Sequence, residues 1–356
     1  MRIAILGTRG IPANYGGFET FAEELSVRLV ERGHEVTVYG REHYPQTEYR
    51  GVKLRFLPTI RHKYFDTLVH TALSTVDVLL HPFDVLLYCN AANAVFTLWP
   101  RLTGTPAALN VDGVERRRKK WNMAAKGWYL LSEWLATWCC SAVVTDAEKI
   151  QEYYLQRYGK DSTFIAYGAE TGKVAADNCV RELGLEPGRY VLYVSRLEPE
   201  NNALLVRQAF EKVDTSFKLA LIGDAPYAAE YIRQVKDTLD KRIVIPGAIY
   251  GEGYHQLQSH CAVYVQATEV GGSHPALIEA MGRGALVLYL HTPESAEVAG
   301  DAAVPFDSDL AEKLQWAVNA PAGEREMWGK RASERIEKLY SWNAVTDQYE
   351  ALLRRL

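Results

Sequence analysis

Ile3-Ala4-Ile5-Leu6-Gly7-Thr8-Arg9-Gly10-Ile11-Pro12-Ala13-Asn14-Tyr15-Gly16-Gly17-Phe18-Glu19-Thr20 opens the chain after Met1 and Arg2 and sets its architecture. Ile3 to Leu6 is a short apolar run stopped by Gly7, the pattern of a buried strand entering a turn. Beyond the glycine loop, Phe18, Phe21, Ala22, Leu25 and Leu29 recur at helical spacing and form one apolar face. Gly33 stops this helix, and Val36–Val38 begins the next strand. Strand, loop, helix and strand in that order make a βαβ unit, which implies a parallel sheet with helices on its faces.

The pattern continues outward. Val52–Leu57, Val85–Cys89, Ala107–Asn110, Ala142–Thr145 and Thr163–Ala166 read as strands, and Tyr64–Leu80 and Ala147–Arg157 have helical length. It resets after Glu170–Asn178, a stretch of low hydrophobicity read as a linker. Tyr190–Ser195 then leads to a helix over Asn202–Val213, and Phe217–Ile222 to one near Pro226–Thr238. Ile243–Ile245, Val263–Val265 and Leu286–Leu288 are three more strand candidates, and Trp342–Leu353 is a final amphipathic helix. The expected fold class is α/β, with two Rossmann-like doubly wound domains facing across a cleft. Ligands are then expected at the carboxyl ends of both sheets. The expected boundaries are 1–170, 171–340 and a terminal helix over 341–356.

Composition narrows the function. In 356 residues, 24% are charged and 48% apolar, as in ordinary soluble domains, which excludes a disordered or collagen-like chain. Lys and Arg number 40 against 44 Asp and Glu, a net charge of −4, so a nucleic-acid partner is not expected. Cys89, Cys139, Cys140, Cys179 and Cys261 are odd in number and form no C-x-x-C pair, which fits reduced thiols in the cytoplasm. No signal peptide or apolar run of membrane-spanning length is read.

Three segments carry chemistry. The loop Gly7–Gly17 offers backbone N–H groups and a helix start suited to phosphate. It has neither G-x-G-x-x-G spacing nor a P-loop lysine, and it also reads as a tight turn. Arg196, in Val194-Ser195-Arg196-Leu197-Glu198-Pro199-Glu200-Asn201-Asn202, follows a strand, where its forked donors match a diphosphate or simply a surface carboxylate. In Glu269-Val270-Gly271-Gly272-Ser273-His274-Pro275-Ala276-Leu277-Ile278-Glu279-Ala280-Met281, two glycines and a helix-starting proline precede Glu279. The amides near Gly272, Ser273 and His274 suit a leaving phosphate, and Glu279 suits a ribose diol. An ordinary turn with a solvated Glu is the other reading.

Together these segments resemble a glycosyltransferase of the GT-B fold, family 4, over nearly the whole chain. The features are the N-terminal glycine loop, the segment 194–200, the Ile222-Gly223-Asp224 turn, Gly271…Pro275…Glu279-Ala280-Met281, and the Ser341-Trp342…Tyr349…Leu352 helix. Arg9-Gly10-Ile11-Pro12-Ala13…Tyr15-Gly16-Gly17-Phe18-Glu19-Thr20 and Val111-Asp112-Gly113-Val114-Glu115 are similar to a bacterial subgroup with rhamnosyltransferases of capsule, exopolysaccharide and surface-glycan assembly. The resemblance implies a retaining, metal-independent transfer from a nucleotide sugar, with no other cofactor. It implies donor contacts from Gly16, Gly17, Arg196, Asn201, Gly271, Gly272, Ser273, His274 and Glu279. Asp112, Glu269 and Arg196 are the expected catalytic residues, and Tyr15, Glu19 and Glu115 the expected acceptor residues.

Two positions depart from the family pattern. Its first Glu falls at Gly271, with Glu269 two residues earlier, and its diphosphate lysine falls at Asn201. Asp112 stands nearest to the place of a family histidine and could accept or orient an acceptor proton, although an Asp-Gly pair is also a turn. Arg116-Arg117-Arg118-Lys119-Lys120 precedes a segment in which Trp121, Trp128, Leu131, Leu135 and Trp138 lie near one face. That arrangement fits peripheral contact of 116–138 with the inner face of an anionic membrane or a polyprenyl-diphosphate acceptor, or a stripe packed into the core.

The expected reaction moves L-rhamnose from dTDP-L-rhamnose to a saccharide, lipid-linked or free, in bacterial polysaccharide synthesis. A nucleotide-sugar 2-epimerase on the same fold and a non-catalytic nucleotide-sugar-binding scaffold are the alternatives. A Rossmann dehydrogenase lacks its glycine spacing here.

Overall fold

The structure, a computed structural model, describes residues 1–13, 16–62, 64–117, 121–225 and 227–356. Tyr15 and the cations 118–120 lie outside the described residues. Two units emerge: Met1–Tyr167 with Trp342–Leu356, and Gly168–Ser341.

The first unit is built on β1 (Arg2–Leu6), α1 (Gly17–Glu31), β2 (Glu35–Gly40), β3 (Glu48–Tyr49), β4 (Val52–Phe56) and α2 (Asp66–Leu79). It continues with β5 (Val85–Cys89), a 3-10 turn (Ala91–Thr97), α3 (Leu98–Leu102), β6 (Ala107–Asn110) and α4 (Met123–Cys139). β7 (Ala142–Thr145), α5 (Glu148–Tyr158) and β8 (Thr163–Phe164) complete it. The strands form one eight-stranded sheet in the order β3-β4-β2-β1-β5-β6-β7-β8. Among the described residues, β3–β4 is the one antiparallel pair in it. Ile3, Ala4, Ile5 and Leu6 are fully buried, as a central parallel strand covered on both faces requires. Burying Ile3, Ile5 and Leu6 contributes about 1.5–3 kcal/mol each.

The terminal helix (Trp342–Arg355) belongs to this unit. Tyr349 is fully buried, its ring centroid 5.1 Å from that of Phe21 on α1. The amide of Asn110, at the end of β6, donates to the Tyr349 hydroxyl at 2.8 Å. The next residue, Glu350, accepts from Arg32 at 2.9 Å and lies 3.0 Å from His34 Nε2.

The second unit contains α6 (Asn178–Glu182), β9 (Tyr190–Val194), α7 (Ala203–Phe210), β10 (Lys218–Ile222) and α8 (Ala229–Lys236). After β11 (Ile243–Gly247) come α9 (Gly251–His260), β12 (Val263–Gln266), α10 (Pro275–Gly282), β13 (Leu286–Leu290) and α11 (Pro293–Ala299). β14 (Val304–Phe306), α12 (Leu310–Asn319) and α13 (Ala322–Leu339) close it. Its six strands are all parallel, in the order β11-β10-β9-β12-β13-β14. The segment 170–178, expected to be a linker, is part of this unit. The Gly172 N–H donates to Gly282 O, and that of Val174 to Ser259 Oγ, both at 3.0 Å.

Strand order reverses between β1 and β5 in one sheet and between β9 and β12 in the other. Such switch points open a crevice at the carboxyl ends of doubly wound sheets, where ligands bind.

α4 overturns one expectation. It buries Tyr129, Ser132, Glu133, Ala136 and Cys139, whereas Leu131 and Trp138 are exposed. The expected stripe therefore straddles the boundary instead of packing into the core. The cause is Glu133, which accepts from Arg116 at 3.1 Å, Tyr153 at 2.7 Å and Tyr158 at 2.8 Å. A buried carboxylate is tolerated when it is paired and hydrogen-bonded. Arg116 is thus committed inward and is not part of a free basic rim.

Candidate functional site

In the second unit, β9 ends at Val194, and the loop behind it carries Arg196. This loop is pressed against the turn after β10: a β-carbon on Gly223 would fall 1.8 Å from Ser195 O. Only glycine allows that approach, and the φ of +150° at Gly223 disfavours other residues as well. Arg196 is half-buried and reaches Glu198 only at 3.9 Å, a loose ion pair. Asn201 faces inward: its amide donates to Arg196 O at 2.7 Å, and its own carbonyl accepts from the buried Tyr193 hydroxyl at 2.7 Å. At the family's lysine position this chain therefore uses a residue that fixes the Arg196 backbone.

Asn202 adopts a left-handed conformation (φ 61°) and ties this loop to the one after β12. Its amide donates to Ala267 O at 2.9 Å and to Glu269 Oε1 at 3.1 Å. The Glu269 N–H in turn donates to Glu200 O at 2.9 Å. β9 and β12 are adjacent strands, so Arg196 and Glu269 sit on neighbouring carboxyl ends.

The glycine turn follows. Gly272, Ser273 and His274 are buried, and His274 caps α10 with φ 49°. The His274 ring lies over Gly271, where a β-carbon would come within 2.7 Å of Cε1. Four residues into α10, half-buried Glu279 accepts a short hydrogen bond from the Tyr254 hydroxyl, which itself accepts from Gln258 at 2.7 Å. Tyr254 and Gln258 were not singled out from sequence, although their i, i+4 spacing on α9 places them on one face.

The first unit presents a second cluster. Gly7 has φ 91°, and a β-carbon there would meet Cys89 O at 2.4 Å, so the loop after β1 lies tightly across the end of β5. Buried Glu19 accepts the Arg9 N–H at 2.9 Å. Burial pushes its carboxyl up, opposed by that hydrogen bond and by the Arg41 and Arg9 charges. Asp112, just past β6, holds φ 57° with its N–H on Asn110 Oδ1 at 3.0 Å. Burial pushes the Cys89 thiol up, and the Glu19 and Asp112 charges add to the shift. Glu115 is buried and accepts from Trp121 Nε1 at 3.2 Å. Gly16, in extended backbone, caps α1, which begins at Gly17.

Among the described non-glycine residues, Asn90, Asp112, Asn202 and His274 hold positive φ, Asn90 and Asp112 just after β5 and β6, and Asn202 and His274 in the loops beyond β9 and β12. Arg50, in a turn, is the fifth. Such conformations cost about 1–3 kcal/mol each and concentrate at ligand sites. The arrangement suits an anion. Arg196 and the turn amides offer donors, while Glu269 and Glu279 are held as acceptors for hydroxyl groups. Among the described residues, no three His, Cys, Asp or Glu side chains converge as metal ligands.

Comparison with known proteins finds one family match on each unit. The family described as Glycosyl transferase 4-like domain matches residues 16–168, and the one described as Glycosyl transferases group 1 matches residues 188–320. A lipopolysaccharide 1,2-N-acetylglucosaminetransferase of Salmonella typhimurium is 24% identical over 237 residues, which cover 60% of this chain and 61% of that protein. Anabaena Alr3699/HepE, solved in complex with UDP and glucose, superposes with a TM-score of 0.83 at 15% identity over all of both chains. Sucrose-phosphate synthase from Thermosynechococcus elongatus superposes with a TM-score of 0.80 at 18% identity, covering 99% of this chain and 98% of that one.

Proposed function

The chain belongs to the GT-B glycosyltransferases, and from that premise we propose that it moves a hexosyl group from a nucleotide sugar to a saccharide acceptor. The second unit holds the donor and the first unit the acceptor. The observation that carries this reading is the stitched pair of loops at the ends of β9 and β12, with Arg196, Glu269 and the turn before Glu279 all on them.

Arg196 and the amides of 271–274 take up the negative charge of the diphosphate as it leaves. Preorganised donors of this kind commonly supply the largest share of catalysis. Glu279, oriented by Tyr254, binds the ribose diol. Glu269, fixed by Asn202, faces the hydroxyls of the transferred sugar. The bond between the anomeric carbon and the phosphate oxygen breaks, the acceptor oxygen bonds to that carbon from the same face, and its proton passes to the departing phosphate. Retention therefore needs no paired carboxylates and no metal. Asp112 orients the acceptor hydroxyl, with Glu19 and Glu115 on the same unit contacting the acceptor.

The donor we propose is dTDP-L-rhamnose, on the motifs at 9–20 and 111–115, and the acceptor a lipid-linked glycan in bacterial polysaccharide synthesis at the inner face of the membrane. Incubating the protein with labelled dTDP-rhamnose, UDP-glucose and UDP-N-acetylglucosamine, with and without acceptor glycans, tests this. Acceptor-dependent release of the nucleoside diphosphate from one donor supports transfer. An epimerised donor without acceptor, or binding without turnover, refutes it.

A further inference from the structure

α4 is inverted for a surface helix. None of its solvent-exposed residues is charged, and they include Met123, Leu130, Leu131, Trp134 and Trp138. Trp138 is 66% exposed and Trp134 49%. The outward side of a surface helix is ordinarily its charged side.

This face continues onto its neighbours. Leu73, Val76 and Leu80 project at i, i+3 and i+7 along and just beyond α2, with Val76 57% and Leu80 76% exposed. Trp99 and Leu102 of α3 are exposed as well. α2 and α4 both pack against the 3-10 turn Ala91–Thr97, and α3 adjoins that turn and α2. The Tyr64 and Trp121 rings, 6.1 Å apart, join the start of α4 to that of α2, and Arg101 of α3 donates to the Trp138 carbonyl. Apolar surface on three adjacent helices exceeds the scattered exposed residues of an ordinary monomer.

From this we propose that the α2–α3–α4 face of the first unit lies in the headgroup layer of an anionic lipid bilayer. Three observations favour lipid over other occupants. Trp99, Trp134 and Trp138 have the amphipathic ring that concentrates at membrane interfaces. Arg101 stands exposed beside Trp138, and Arg61 stands exposed ahead of α2, whereas no exposed residue of α2, α3 or α4 is acidic. In a chain of net charge −4 this is a local positive rim, complementary to anionic headgroups. A second copy on the same face would bring identical cations together across a two-fold axis. No described helix is long and apolar enough to cross the membrane, so the contact is peripheral.

The test uses the full chain with vesicles of equal parts phosphatidylcholine and phosphatidylglycerol, beside pure phosphatidylcholine. The wild type should float with the mixed vesicles and shift its tryptophan emission to the blue. The double variant Trp134→Ser, Trp138→Ser should lose at least about tenfold in partitioning, since each indole removes a large apolar surface, while its melting temperature stays unchanged. Failure of the wild type to bind, or equal binding by the variant, overturns the proposal. A concentration-dependent dimer dissolved by the same variant assigns the face to a second copy and overturns it too. Glycosyl transfer to a soluble acceptor is read separately, so either proposal can fail alone.

Discussion

The His274 ring occupies the space over Gly271, where a β-carbon would approach its Cε1 to 2.7 Å. The ring is buried and its backbone left-handed, so it has little freedom to yield. A side chain at the family's glutamate position is thus opposed here by an imidazole three residues on, and the carboxylate two residues earlier, Glu269, is held by Asn202 instead.

That contact predicts coupling. Gly271→Ala should lower kcat/KM for the donor by about tenfold to a hundredfold, as a displaced turn loses about 1.4–2.7 kcal/mol of transition-state stabilisation. In a His274→Ala background the same change should cost several-fold less, because the clash is gone. A double-mutant cycle on steady-state rates checks this, and strict additivity would count against it.

Arg196 is half-buried and weakly paired, so its loss should harm chemistry and spare the fold. Arg196→Ala is expected to lower kcat/KM by about tenfold to a hundredfold, the range of one or two charge-assisted hydrogen bonds, with a melting temperature close to wild type. Asn201→Ala should behave differently. It leaves the Arg196 carbonyl without its buried partner and should cost about 1–2 kcal/mol of stability in chemical denaturation.

Tyr254→Phe removes the hydroxyl that donates to Glu279 and leaves the ring in place. The donor KM should rise about threefold to tenfold with little change in kcat, as expected when ground-state and transition-state binding weaken alike. A fall in kcat alone would place Tyr254 outside the ribose contact.

Acid should loosen the terminal helix. Hydrogen bonds from His34 first, then from Arg354 and Arg32, hold the Glu350 carboxyl down at about 2 against an ordinary 4.5. A depressed carboxylate stabilises the fold above its unfolded value, and that contribution fades as pH falls from 4.5 toward about 2. Glu350→Gln should therefore cost about 1 kcal/mol near neutral pH and progressively less across this window. Thermal midpoints of the two proteins at stepped pH check it; a gap that widens in acid contradicts it.

What the sequence revealed followed burial. Ile3–Leu6 and Val85–Cys89 are continuous apolar runs, and both are buried central strands. α13 went unread because it buries only Gly329, Ala332 and Ile336, too small a stripe to stand out from a polar helix. The sequence leaves α4 open to an outward or an inward stripe because its hydrophobic residues point outward while Glu133, a residue type expected outside, is drawn inward by Arg116 and two tyrosines. In the site, Arg196, Glu269 and Glu279 stood out by motif. Tyr254 and the inward amide of Asn201 depend on contacts between distant segments, which no local pattern encodes.

The most direct measurement is the change in melting temperature that dTDP and UDP produce in the wild type and in Arg196→Ala. A ligand bound only by the folded state raises the midpoint in proportion to the logarithm of its saturation. A rise with at least one of the two nucleotides in the wild type, largely lost in the variant, is the predicted result. No rise with either, or an equal rise in both proteins, would contradict a diphosphate grip built on Arg196.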